Sequence, residues 1–183
     1  MRRLMARRRR LVAWPGMALW LALPLSPGHA ANARPQTVAV ADFDYQDSSG
    51  ETRDQTAAHA ARLAALKSGI ITILANSGEL TARALSCPKA PCSADQLDQA
   101  AMTAAAHAGH ADFVVFGAIH KISSLIQFGE IEVMRVSDGK AVLAKTITFR
   151  GDSEDAWQHA TDFVGQMLVT ALHGQFPPAA ARP

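Results

Sequence analysis

The run from Phe113 to Ile122 constrains the fold more than any other stretch, because it is apolar on both alternations of a strand. Phe113, Val115 and Ile119 fall on one side, and Val114, Phe116, Ala118 and Ile122 on the other. A strand of that kind needs cover on both faces. It marks the centre of a sheet, and the rest of the chain has to supply the layers.

The other elements follow from periodicity. Thr37 to Tyr45 reads as a first strand and ends in the turn cluster Asp47-Ser48-Ser49-Gly50. Glu51 and Asp54 then place negative charge in the first turn of a helix that runs to about Asn76, with Leu63, Leu66, Ile70 and Leu74 on one stripe. Gly69 and the run Ile70 to Ile73 leave a short strand open as an alternative there. Glu79 to Leu85 is a brief strand. Ser93 or Asp95 can cap an alanine-rich helix that closes near Gly109. After the central strand, Leu125 to Val136 returns, and Asp138-Gly139 turns the chain into a last strand with Leu143, Ile147 and Phe149 on one face. Asp152 to Asp155 opens a final helix that should bury Trp157, Phe163, Val164, Met167 and Leu168. The order is β-α-β-α-β-β-β-α. It predicts a two- or three-layer α/β sandwich, with a mixed sheet of about five strands and about three helices.

The N-terminus reads as an export signal. Arg2, Arg3, Arg7, Arg8, Arg9 and Arg10 precede an apolar run, Leu11 to Leu25, that is too short to span a bilayer. Small residues at Gly28-His29-Ala30 and Ala31-Asn32-Ala33 then supply peptidase sites. The predicted organisation is a signal peptide over 1–30, a short linker over 31–36, one α/β domain over 37–176 and a disordered tail over 177–183. The expected address is the periplasm, with no stable membrane anchor after cleavage. Six of the 18 basic residues and none of the 16 acidic ones lie in the signal, so the mature chain carries a net charge of −4. That balance argues against a nucleic-acid partner.

Cys87 and Cys92 are the sole cysteines, and in an oxidising compartment they are expected to form a disulfide. The spacing is longer than that of a Cys-x-x-Cys redox pair. Zinc would need two more ligands, for which His107 and His110 are candidates; the alternative is a solvent-facing helix terminus. Asp42, Asp44 and Asp47 form the densest acidic group, readable as a cation or general-base site or as caps for the next helix. No Gly-x-Ser-x-Gly elbow presents Ser48, Ser49, Ser123 or Ser124. Arg150-Gly151-Asp152 reads as a strand-to-helix connector rather than an adhesion tripeptide. No catalytic residue, metal or cofactor is assigned.

Several stretches together carry a resemblance: Asp42-Phe43 with Asp47 to Glu51, Arg62-Leu63-x-x-Leu66 leading to Leu74-Ala75-x-Ser77-Gly78, the paired cysteines, Ala111-Asp112, Gly117, Lys121 to Ile126, Asp138-Gly139-Lys140 and Arg150 to Asp155 with Trp157. They resemble an uncharacterised family of exported bacterial proteins, domain of unknown function 2380. The resemblance covers nearly the whole mature chain, favours helix over strand at Ile70 to Ile73, supports the fold and the address, and adds nothing catalytic. The strand-helix-strand-helix start is similar to the N-terminal domains of TolB-type envelope proteins.

The expected function is that of a soluble periplasmic binding or assembly module, non-catalytic, with an envelope protein or a small ligand as its partner. The rivals are a hydrolase built on Asp42, Asp44 and His120, and a metal-handling protein. Strand ends are where binding groups converge in an α/β sheet. Lys121, Ser123, Arg150, Asp152 and Ser153, walled by Trp157, are therefore the candidate binding residues. The competing expectation is that Lys121 and Arg150 pair with local carboxylates and Trp157 fills core.

Overall fold

The computed structural model describes residues 34–175. The expected signal peptide, residues 31–33 of the expected linker and the tail lie outside the described residues, and Gln36, expected to end the linker, instead opens the first strand. The described residues form six strands and three helices: β1 (Gln36–Val40), β2 (Asp44–Asp47), α1 (Thr56–Ala75), β3 (Leu80–Ala84), α2 (Gln99–Ala108), β4 (Phe113–Lys121), β5 (Ile126–Arg135), β6 (Ala141–Arg150) and α3 (Glu154–His173). The sheet order is β3-β1-β4-β5-β6, with β2 also pairing β4. β1, β2, β3 and β4 run parallel, while β5 is antiparallel to both β4 and β6. This is the mixed α/β sandwich that the alternation of elements predicts.

The expected first strand is two. β1 pairs the first half of β4 and β2 the second half, with a break over 41–43. At the break Phe43 is buried in the core. It lies against Gly117, where a Cβ would come within 3.2 Å of its ring. Ala, Asp and Phe in succession satisfy strand alternation, so the interruption is invisible to periodicity.

β4 is central and covered as expected. On one face Phe113, Val115 and Ile119 join Val38, Val40, Ile131 and Val133 beneath α1 and α3, which contribute Leu66, Ile70, Leu74, Trp157, Val164, Leu168 and Leu172. On the other face Val114 packs with Ala39, Ala41, Met134, Val136 and, from α2, Met102 and Ala106. By length and composition α1 is apolar enough to cross a membrane, yet its Leu66, Ile70 and Leu74 are spent in this core. α1 and α3 approach closely because glycine sits at the crossing on each: a Cβ on Gly165 would lie 2.5 Å from Ile73 Cδ1, and one on Gly69 would meet Thr161.

Three details differ from expectation. Glu51 and Asp54 precede α1 instead of lying in its first turn; Asp54 accepts a bond from Thr56 N, and Glu51 is drawn toward Lys121. The cap of α2 is Asp98, whose side chain accepts from Ala101 N, and not Ser93 or Asp95. Phe163 is 59% exposed. It lies one residue off the stripe that Ala160, Val164 and Leu168 bury, and a 100° step turns it outward.

Candidate functional site

The C-terminal end of β4 sends consecutive side chains to opposite faces, and two different environments result. Lys121 points toward α1 and α3 and is fully buried, at 0% exposure. Its Nζ donates to Glu51 Oε2 at 2.6 Å and to Asp152 Oδ2 at 2.8 Å, with Asp47 Oδ2 at 3.9 Å. Asp152 is the hub. Besides Lys121 it receives His59 Nε2 at 2.9 Å, Arg62 Nη1 at 2.8 Å, Trp157 Nε1 at 3.1 Å and Gln127 Nε2 at 3.3 Å. Arg62 also reaches Glu154 Oε1 at 2.9 Å.

These groups come from four directions. Glu51 arrives on the loop before α1, which also holds it through Gln55. His59 and Arg62 stand one turn apart on α1. Asp152 sits after Gly151, whose φ of +93° suits a residue without Cβ. Trp157 is on the first turns of α3, which Ser153 caps by accepting from Ala156 N. Tyr45 stacks over His59 with ring centroids 4.5 Å apart.

The charges are mutually stabilising. Burial alone would raise the Asp152 carboxyl, but hydrogen bonds from Lys121, His59 and Trp157 outweigh it and hold the group at about 2. Burial pushes Lys121 down, and its bonds to Asp152 and Glu51 more than reverse that, leaving it above the ordinary lysine range. Burial, then the nearby Asp47 and Asp152 charges, raise the Tyr45 hydroxyl. Lys121 and Arg62 are both committed to carboxylates of the same chain, so the arrangement ties the loop before α1, the start of α3 and the end of β4 together.

The opposite face of the same strand end is open. α2 and the loop before it cover the first half of β4, while a cleft of about 360 Å³ remains over the second half. It is lined by Asp44 and Gln46 of β2, Ala118 and His120 of β4, Phe128 and Glu130 of β5, Thr146 of β6 and Asp95 of the loop before α2. At its edge Ile122 is exposed.

Of the six candidate residues, the structure brings together Lys121, Asp152 and Trp157. Ser153 stays beside them as the α3 cap. Ser123 turns inward on its own loop, accepting from Leu125 N and Ile126 N. Arg150 lies on the opposite face from Lys121: Lys121 pairs Gln127, which pairs Phe149, so the next residue points the other way. Lys121 thus pairs with local carboxylates and Trp157 fills core against Phe149, with ring centroids 5.5 Å apart.

Cys87 and Cys92 are joined, with Cα atoms 5.7 Å apart. The bridged loop is docked by Asp42, which accepts from Cys92 N at 2.7 Å and from Lys67 Nζ at 2.7 Å, while its own N–H donates to Cys92 O at 2.9 Å. Asp44 accepts from Asp95 N and Asp47 from Ser49 N. The three carboxylates therefore disperse and cap no helix. His120 Nε2 lies 2.9 Å from Ser48 Oγ, separate from Asp42. His107 and His110 are exposed. Among the described residues no group of three or more His, Cys, Asp or Glu is placed to hold a metal.

The family model "Protein of unknown function (DUF2380)" matches residues 36–167, and the chain belongs to that family. No curated protein matches. Among solved structures the fold is similar to TolB from Acinetobacter baumannii, with 17% identity, a TM-score of 0.51 and coverage of 77% of this chain and 29% of that one. It is also similar to the PelC dodecamer from Paraburkholderia phytofirmans, with 19% identity, a TM-score of 0.50 and coverage of 76% and 89%. The chain thus spans less than a third of TolB and most of PelC.

Proposed function

We propose that this protein is exported to the periplasm and works there as a non-catalytic binding or assembly module whose partner is an envelope protein. In this reading residues 1–30 are removed as a signal peptide, 31–35 form a linker, the working domain runs from Gln36 of β1 to about 176, and 177–183 trail from it. The observation that carries the reading is the contrast at the end of β4. The groups with chemical reactivity, Lys121, Asp152 and His59, are hydrogen-bonded to one another through Asp152, while the neighbouring cleft is left uncovered and offers contact surface. The PelC dodecamer is an assembly made with a similar fold, which supports an assembly role. Lys121, Asp152, Ser153 and Trp157 act by fixing the strand ends, and partner contact falls on the open face, where Arg150 also lies.

The test is a photo-crosslinking residue at Thr146 in the cleft, compared with one at Thr170 on the exposed side of α3, in intact cells followed by fractionation. A discrete product from Thr146 alone, in the periplasmic fraction and on a chain lacking its first 30 or 33 residues, is the expected result. Equal products from both sites, or an uncleaved chain in the membrane, would overturn the reading.

A second reading, a hydrolase, has the 2.9 Å contact between Ser48 Oγ and His120 Nε2 in its favour. Among the described residues no carboxylate hydrogen-bonds that imidazole to orient it, as a nucleophile-base pair requires. Labelling of Ser48 by a fluorophosphonate would support this reading; no labelling would exclude it.

A further inference from the structure

We propose that the open-face cleft receives a lysine or arginine side chain carried on an extended segment of a partner protein. The inference rests on the reading above, that the module binds through this face, and adds the chemistry of what it takes.

The sheet register sets the dimensions. Asp44, Ala118, Glu130 and Thr146 lie abreast on β2, β4, β5 and β6, and Gln46, His120, Phe128 and Thr148 lie abreast one step further on. Paired strands are about 4.8 Å apart, so Asp44 and Glu130 flank the Ala118 methyl at a backbone separation of roughly 10 Å. A slot with a methyl floor and a carboxylate on each flank suits a long, thin side chain ending in positive charge. Asp95 adds a third carboxylate from the loop before α2. Phe128 offers an apolar wall for an aliphatic stem and a π-face for the cation.

Charge complementarity points to a cationic occupant. Asp44, Asp95 and Glu130 make no ion pair among the described residues, whereas the carboxylates of the buried cluster are paired. On β6 this face carries Ala144, Thr146, Thr148 and Arg150, so basic charge reaches it at the strand end alone. A single cation in the slot leaves the flanking backbone of its carrier close to Ile122, which lines the cleft, is 45% exposed and can pack against it. A segment with apolar neighbours around one Lys or Arg fits both features.

The mature protein, isotopically labelled, is to be titrated with a hexa-arginine peptide and with a hexa-glutamate peptide while amide resonances are followed. Hexa-arginine should shift Ala118, Phe128, Glu130 and Thr146, and hexa-glutamate should shift none of them. Glu130→Gln should weaken the hexa-arginine interaction about tenfold, as expected for loss of one charged partner. Ala118→Phe, which fills the slot, should abolish it while the remaining spectrum stays dispersed. Shifts spread over all surface carboxylates, or an affinity unchanged in Glu130→Gln, would overturn the proposal. If Thr146 crosslinks a partner while hexa-arginine leaves the cleft unshifted, the cationic-segment inference fails and the open-face reading stands. If hexa-arginine binds the slot while Thr146 crosslinks nothing, the open-face reading fails instead.

Discussion

His120 and Lys121 are adjacent in sequence, yet one faces an open cleft and the other the most densely paired charge cluster in the described chain. The difference teaches what burial does to polar groups. On the α1/α3 face Lys121 is fully buried and Asp152 nearly so, which makes partners within the molecule necessary, and Asp152 gathers five donors. On the other face solvent satisfies the carboxylates and no internal partner is required. Closed and open environments one residue apart give the end of β4 a rigid back and an available front.

The largest effect should come from breaking the closed side. Lys121→Ala leaves Glu51 and Asp152 without their shared cation, and removal of one partner of a buried pair costs about 3–5 kcal/mol. Chemical denaturation should register it as a lowered midpoint. A loss below 1 kcal/mol would mean that the cluster is not what holds the strand ends together.

The disulfide supports the cover that stops short of the cleft. Cys87→Ser should cost about 2 kcal/mol, from the chain entropy of closing a six-residue loop. Faster hydrogen exchange should appear at Asp95 and Leu97 while Lys121 and Trp157 stay protected. Exchange rising equally on both faces would show that the two regions are not independent.

Acid should act on the closed side through Asp152. Asp152 titrates near 2 in the folded chain against an ordinary 3.8, so its contribution is fully present above pH 4 and is lost as pH falls through 2. The lowered value corresponds to about 2 kcal/mol. A stability profile from pH 6 to 2 should show this slope, and Asp152→Asn should reduce it, leaving the part that Asp42 and Asp138 contribute. Lys121 gives the converse at high pH: its raised value stabilises the fold below the ordinary lysine range and that contribution is lost on passing above it.

The smallest effect belongs to the open side. Glu130→Gln changes an exposed group with no internal partner, and its cost should stay within about 0.5 kcal/mol. A larger destabilisation would show that the cleft residues are structural after all.

Much of the fold was legible in the chain itself. The doubly apolar run at Phe113 placed the central strand, Leu63 to Leu74 placed the first helix, Asp138-Gly139 placed the hairpin, and Ser153 with Glu154 opened the last helix. The candidate site was legible only in part. Lys121, Asp152 and Trp157 stand out as polar or aromatic groups at strand and helix ends, but His59, Arg62 and Glu51 carry no signal, because they reach Asp152 across about 90 to 100 residues or meet it through Lys121.

Sequence by itself determined which segments alternate, which cysteines could pair and which residues could be charged at strand ends, since period, spacing and residue type are local properties. Tertiary structure alone decided that the first strand breaks at Phe43, that Arg150 and Lys121 part to opposite faces, and that α2 stops covering β4 halfway along. Those outcomes depend on register between strands and on where a helix of fixed length comes to rest, and neither is written in any single window of the chain.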